Sequence, residues 1–209
     1  MNPESTLYVG LMSGTSLDAV DAVLVDLKHA PLIVGSLNYP ISPALRGRIL
    51  ELCHPGQDDL NKLGRADHEL GQLFASSVEA LLQHANVTPD KVRAIGSHGQ
   101  TVRHHPDMGF TLQLGDANII CEKTGIDTVS DFRRRDLAAG GQGAPLVPAF
   151  HEALFRNAQS DRVILNIGGM ANISLLPKDL VKNTSGHDTG PGNVLMDAWG
   201  QKIQQQPCD

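Results

Sequence analysis

The stretch LYVGLMSGTSLDAVDAVLVDL, residues 7–27, decides how this chain is read. Two apolar runs, 7–10 and 19–27, flank Met-Ser-Gly-Thr-Ser-Leu. In the second run acids alternate with Val and Leu, the pattern of a half-buried strand, so the runs read as the arms of a hairpin. A plain two-residue hairpin carries Asn-Gly or Gly-X at its tip. This tip is longer and rich in hydroxyls. On these residues alone, two readings stay open. One is an elaborate turn, which most Gly/Ser segments are. The other is a cradle in which backbone N–H groups and hydroxyls hold phosphate oxygens. Asp18 or Asp21 would then offer carboxylate oxygens to Mg²⁺, directly or through water. The chain has neither GxxxxGK[ST] nor a GxGxxG after a strand, so P-loop and Rossmann readings find no support.

Working outward, 32–40 reads as a third strand and 58–85 as the longest helix. There Leu63, Leu70, Phe74, Val78 and Leu81 recur at helical spacing, with Asp58 or Asp59 as N-cap. A short apolar strand, 92–97, runs into HGQTVRHHP, read as a donor-rich loop. Residues 114–124 read as a helix, 127–132 as a strand, and 144–156 as a helix with Pro145 in its first turn. Then the opening pattern recurs. Residues 163–167, the tip Gly168-Gly169-Met170-Ala171-Asn172, and 173–176 again make strand, small-residue tip, strand.

The order β-β-β-α-β-α-β-α followed by a second hairpin describes one α/β unit and the start of another. Its sheet is mixed, with the opening hairpin as the antiparallel portion. The polar run around 157–161 marks a boundary between a first domain, 1–158, and the start of a second, 159–209. That second segment is too short to complete a similar unit, so the chain is expected to be part of a longer protein.

Bulk properties narrow the partners. The chain has 209 residues, 41% apolar and 19% charged, the make-up of a globular domain with a real core. Its 17 basic residues stand against 23 acidic ones, for a net charge of −6. That balance argues against a general nucleic-acid binder, which needs a basic surface. Cys53, Cys121 and Cys208 lie far apart, which suits reduced thiols in the cytoplasm better than a disulfide framework. The N-terminus lacks a signal-peptide pattern, and no stretch approaches the ~20 apolar residues of a membrane span. A cytoplasmic protein without membrane partners is expected.

Three further stretches carry chemistry. His98 and Gln100 follow a buried-looking strand, where α/β sheets gather ligands, and could bind sugar hydroxyls; a loop whose His merely satisfies backbone groups is the bland reading. His98, His104 and His105 also raise a zinc site, although zinc ligation usually shows tighter pairing with Cys or carboxylate partners. Arg133, Arg134 and Arg135 could clamp a carboxylate or phosphate with their planar forks, or form a solvated charge run. The glycine-rich AAGGQGAP that follows, before a Pro-started helix, favours an anion. Finally, GHDTGPGN places Asp188 on a glycine- and proline-bound elbow. Such an Asp can be aimed at substrate as a general base, or can be an Asx-turn and helix cap.

In order, GLMSGTSLDAVDAVLVD, SHGQTVRHHP, TLQLGDANIICEKTGIDTVSDFRRRDLAAGGQGAPLVPAFH, LNIGGMANIS and DTGPGN strongly resemble the anhydro-N-acetylmuramic acid kinase family, over essentially all of 7–200. The resemblance implies the actin-like ATPase (ribonuclease H-like) fold of the sugar kinase/actin/heat-shock-70 superfamily. It implies a cytoplasmic bacterial enzyme of peptidoglycan recycling that opens the 1,6-anhydro ring with water and phosphorylates O6 from ATP with Mg²⁺. It places the ATP phosphates on Gly14, Thr15, Ser16, Leu17, Asp18, Ala19, Val20 and Asp21, with Gly168 and Gly169. It makes Asp188 the base and sets the sugar near His98, Gln100, Arg133 and Asn166, with a homodimer as the oligomeric form to test. Ala19 stands where Gly is expected after Leu-Asp, and its methyl requires a negative φ there.

Overall fold

In the computed structural model, residues 4–204 are described, and Cys208 lies outside them. Contacts divide the chain into two compact units, Met1–Arg134 and Arg135–Asp209.

The first unit is built on a five-stranded sheet. The hairpin arms are β1 (Leu7–Ser13) and β2 (Ala19–Asp26), paired antiparallel from Leu7↔Asp26 to Ser13↔Val20. The third strand, β3 (Leu32–Pro40), pairs antiparallel with β2. On the other side, β4 (Val92–Ser97) and the two-residue β7 (Thr128–Val129) run parallel to β1. The order is β3-β2-β1-β4-β7, the mixed sheet expected of the ribonuclease H-like, actin-like ATPase fold. Parallel neighbours need crossovers, and helices supply them.

The main crossover is α2 (Asp59–Ala85), which buries Ala66, Leu70, Phe74, Val78 and Leu81. They form one core with Val9, Leu11, Val20, Ala22 and Leu24 of the hairpin and Ile95 of β4. Each Val, Leu, Ile or Phe among them contributes about 1.5–3 kcal/mol by leaving water. Asp58 occupies the N-cap position but sits at φ 57 without a side-chain capping bond. Its carboxylate instead accepts from Asn61 Nδ2 at 2.6 Å.

Several expectations are corrected. A helix absent from the sequence reading, α1 (Pro43–Leu52), follows β3, with Ser42 Oγ accepting the Leu45 N–H at 3.3 Å and Pro43 in its first turn. Ser-Pro is a helix-start signal, but the run behind it has a weak apolar stripe. HGQTVRHHP is no loop: β5 (Gln100–His105) and β6 (Phe110–Leu114) form a hairpin closed by Gly109 at φ 77. Its polar residues find partners across the ladder. His105 packs on Phe110 with ring centres 5.1 Å apart, and His104 Nδ1 lies 3.0 Å from Thr111 Oγ1.

The third helix, α3 (Ala117–Thr124), starts later than expected because Asp116 caps it, accepting the Asn118 N–H at 2.8 Å. The strand expected over 127–132 stops at Val129. Asp131 takes φ 64, and Phe132 opens α4 (Phe132–Ala138), so the three arginines lie on a helix.

The second unit repeats the opening plan. After α5 (Val147–Phe155), β8 (Arg162–Ile167), β9 (Met170–Leu176) and β10 (Ser185–Pro191) form an antiparallel sheet ordered β10-β9-β8. Then comes α6 (Val194–Gln204). β8, β9 and β10 stand to one another as β1, β2 and β3 do. In β1, Val9 and Leu11 are buried, whereas Val163, Leu165 and Ile167 of β8 are exposed. His151 of α5 and Ser174 of β9 pair in the buried layer, Nδ1 to Oγ at 2.8 Å. Among the described residues, no helix is long and apolar enough to cross a membrane, and Cys53 and Cys121 are free.

Candidate functional site

The first tip is a held loop. Ser13 and Val20 close the ladder. Beyond them the Leu17 N–H donates to the Gly14 carbonyl at 3.3 Å, and Arg46 Nε donates to the Ser16 carbonyl at 3.0 Å. The Ile41 N–H donates to the Asp18 carbonyl at 2.9 Å. Leu17 takes φ 56, a left-handed conformation that costs a non-glycine residue about 1–2 kcal/mol. Its side chain is buried at 1% exposure, and that burial offsets the strain. Leu17 therefore plugs the tip into the core while Thr15, Ser16 and Asp18 stay exposed.

A Cβ added at Gly14 would meet nothing within 4 Å. Ala19 is not among the positive-φ residues; as the first residue of β2, opposite Pro40, it accommodates its methyl without strain. Asp21 shares the exposed face of the hairpin with its cross-strand partner Met12, and Asn38 Nδ2 donates to its carboxylate. That face is opposite to Ser13, so the structure separates Asp21 from the first hydroxyl of the tip. Ser13 Oγ is buried and has no hydrogen-bond partner. Its signal was legible: a hydroxyl at a position in phase with the core residues Val9 and Leu11.

Beside this tip, β4 delivers a second loop. Leu11 pairs with Ser97, and the His98 N–H donates to the Leu11 carbonyl at 2.9 Å. The carboxyl ends of β1, β4 and β7 thus present Ser13 onward, His98 to Gln100, and Ser130 to Arg133 along one edge, where open α/β sheets bind ligands. The structure joins His98 to Arg133, Nε donating to Nε2 at 2.8 Å. Gln100 is 3% exposed, and its Nε2 donates to the Thr101 carbonyl at 3.0 Å while its Oε1 has no partner. Ser97 Oγ, 1% exposed, is also without a partner.

A cavity of about 270 Å³ opens here, lined by His98, Ser97, Asp67, Asp116, Asp131 and Arg134 among others. Among the described residues no three His, Cys, Asp or Glu side chains group as a metal site.

Asp67 of α2 accepts the Gly115 N–H at 2.7 Å. Burial raises its carboxyl above the ordinary 3.8; the Gly115 bond opposes this, and the charges of Asp116 and Asp131 add to the rise. Between 3.8 and the raised value, the folded state holds a proton that the unfolded chain has released, so stability falls as pH climbs through that window. Asp67→Asn keeps the acceptor and cannot ionise. Its melting temperature at pH 7 is expected to exceed that of the unmodified chain, with the gap closing toward pH 4.

In the second unit, Gly168 and Gly169 form the tip between β8 and β9. The Gly192 N–H donates to the Gly169 carbonyl at 2.8 Å, and the Asn193 N–H to the Gly168 carbonyl at 2.9 Å. The segment that follows Asp188 is therefore tied to the glycine tip. Asp188 itself lies on β10, just before a register shift, rather than on a free elbow. Cross-strand register sets Asn166, Asn172 and Asp188 in one row over three strands, and directly opposed residues share a face. Asn172, which the sequence reading used only as part of a tip, has a buried Oδ1 without a partner.

A Cβ at Gly192 would fall 2.2 Å from the Gly168 oxygen. Gly192→Ala is expected to break both ties, each worth about 0.5–1.5 kcal/mol. Amide exchange of Gly192 and Asn193 followed by NMR should quicken by at least about tenfold.

A family model described as anhydro-N-acetylmuramic acid kinase matches residues 6–209. Curated proteins of that name are 54% identical over 205 residues in Shewanella pealeana, covering 97% of this chain and 55% of that protein. In Aliivibrio fischeri the figures are 55% over 195 residues, covering 92% and 53%. The chain spans about half the length of the curated relatives it matches. Among solved structures, the ethanolamine utilization protein EutJ from Carboxydothermus hydrogenoformans aligns over 99% of this chain and 59% of that one, at 15% identity and TM-score 0.43. That likeness is too loose to assign a fold or a function.

Proposed function

Because the chain belongs to the anhydro-N-acetylmuramic acid kinase family, we propose that it carries the phosphate-holding and water-activating elements of an ATP-dependent kinase of peptidoglycan recycling and amino sugar metabolism. The reaction opens 1,6-anhydro-N-acetylmuramic acid with water and phosphorylates O6, giving N-acetylmuramic acid 6-phosphate and ADP. The observation that supports it best is the pair of backbone bonds from Gly192 and Asn193 to Gly169 and Gly168. They make the Asp188 segment and a glycine tip one piece, as a reaction that couples water attack to phosphoryl transfer requires.

Asp188 takes a proton from water, whose oxygen bonds to C1 as the C1–O6 bond breaks. O6 leaves with the electron pair, bonds the γ-phosphorus, and ADP departs. When bound, ATP with Mg²⁺ supplies the phosphoryl group and neutralises its charge. The donor set fits phosphate: Ser13 Oγ is buried without a partner, and open space surrounds Gly14. We assign the phosphates to Gly14, Thr15, Ser16, Leu17, Asp18, Ala19, Val20, Asp21, Gly168 and Gly169. Asp18 is the exposed carboxylate suited to a hard cation. Gln100, Arg133 and Asn166 are assigned to the sugar, with His98 in the same part of the site through its bond to Arg133. A first domain of residues 1–158, a cytoplasmic location and a homodimer belong to the same proposal.

ADP release in a coupled assay tests it, with ATP, Mg²⁺ and either the anhydro-sugar or open-ring N-acetylmuramic acid. Release is expected with the anhydro-sugar alone. Equal release with the open-ring sugar would point to an ordinary sugar kinase.

A further inference from the structure

His98 stands at the end of β4 with both ring nitrogens engaged. Arg133 Nε lies 2.8 Å from Nε2, and the Gly99 carbonyl oxygen lies 2.8 Å from Nδ1. An arginine Nε always carries hydrogen and has no lone pair to offer. Nε2 is therefore the bare nitrogen, and Nδ1 carries the proton donated to Gly99. The two bonds select one tautomer of a neutral ring.

We infer that His98 is a positioning residue: its Nε2 accepts from Arg133 and fixes the plane of that guanidinium, so that Arg133 meets an anionic group of the ligand in one orientation. A direct bond from His98 to a sugar hydroxyl would need Nε2, the nitrogen already taken. The planar fork of Arg133 suits a carboxylate or phosphate. This ligand role rests on the proposed sugar-kinase reading, whereas the clamp between the two side chains does not.

The clamp is pH-gated. Burial pushes the His98 ring below its ordinary 6.5, the Arg133 charge pushes it further, and the Gly99 bond opposes both. Asp67 of α2, Asp116 at the start of α3, and Asp131 and Arg134 near the start of α4 are the charged groups that line the cavity beside His98. Protonating Nε2 breaks its bond to Arg133 and sets two cations together, so acid opens the clamp.

NMR on the 209-residue chain with ¹⁵N-labelled His and Arg tests the clamp. At pH 7.5, His98 is expected as the Nδ1–H tautomer, with the Arg133 Nε–H protected from exchange. That protection should vanish as His98 titrates below 6.5. In His98→Gln, the side-chain oxygen takes the place of Nε2 without titrating. Protection at pH 5 should then persist at least about tenfold above that of His98→Ala.

An Nε2–H tautomer, titration at or above 6.5, or equal exchange in the two variants overturns the clamp. The tautomer is read on the unmodified chain, so a variant that fails to fold leaves the test standing. For the ligand role, N-acetylmuramic acid, which bears a carboxylate, should shift the Arg133 Nε–H signal, and N-acetylglucosamine should not. Equal shifts, or none with either sugar, overturn that half. None of these readouts depends on turnover, so failure of the kinase reading would show separately in the ADP assay.

Discussion

Asp188→Asn, placed in a protein of the relatives' full length, is expected to lower ADP release on the anhydro-sugar by ~10²–10⁴-fold, the usual share of a general base. Asn has the same shape, and β10 pairs through its backbone opposite Asn172, so the strand should persist. What disappears is the proton acceptor. Water then attacks C1 without losing its proton to the protein, and O6 is not freed for phosphoryl transfer. The check is kcat beside nucleotide affinity: kcat should collapse while ATP binding stays within about threefold. A variant that keeps its rate would remove Asp188 from the role of base. The companion Asn172→Ala should cost less, because it removes an amide from the same row and leaves the base in place.

The second large effect is on folding. Phe74→Ala is expected to destabilise the first unit by about 3–5 kcal/mol. Phe74 is fully buried at the middle of α2, and its ring packs on the Gly115 backbone. A Cβ built at Gly115 would lie 3.0 Å from the ring, and Gly115 sits at φ 118, so no larger residue there could fill the void. Against a total of about 5–15 kcal/mol, this loss leaves little margin. Urea titration followed by far-UV circular dichroism measures it. A loss below about 1 kcal/mol would mean that the α2–β6 contact relaxes far more than a close-packed core allows. Site and core are linked through one helix: α2 carries both Phe74 and Asp67, whose carboxylate holds the Gly115 N–H at the cavity wall.

Much of the fold was legible because its signals are local. Strands β3 and β4 begin and end where their apolar runs do. The stripe of α2 announced a crossover, and two strand–tip–strand patterns announced repeated meanders. Misreadings came where partners distant in the chain override local preference. QTVRHH reads as polar loop until Phe110, Thr111 and the Leu52 carbonyl, which Arg103 Nε reaches at 2.8 Å, supply its contacts. The arginine run became helical because Asp131, at φ 64, ends β7 early. For the candidate site, the sequence marked the chemistry of the Ser13 tip, His98, Arg133 and Asp188, while Ser97 and Asn172 became candidates only once burial left their polar atoms without partners.

The sequence by itself determined the family, the mixed α/β sheet and the residue types at each tip. These follow from periodicity and from motifs that are contiguous in the chain. Only the tertiary structure decided that Leu17, not Ala19, takes the strained backbone, that Asp21 turns away from Ser13, and that His98 holds Arg133 rather than standing alone. Each of these depends on which face of a strand a side chain occupies and on what an element distant in the chain brings against it. Spacing along one chain fixes the first only modulo register and does not fix the second at all.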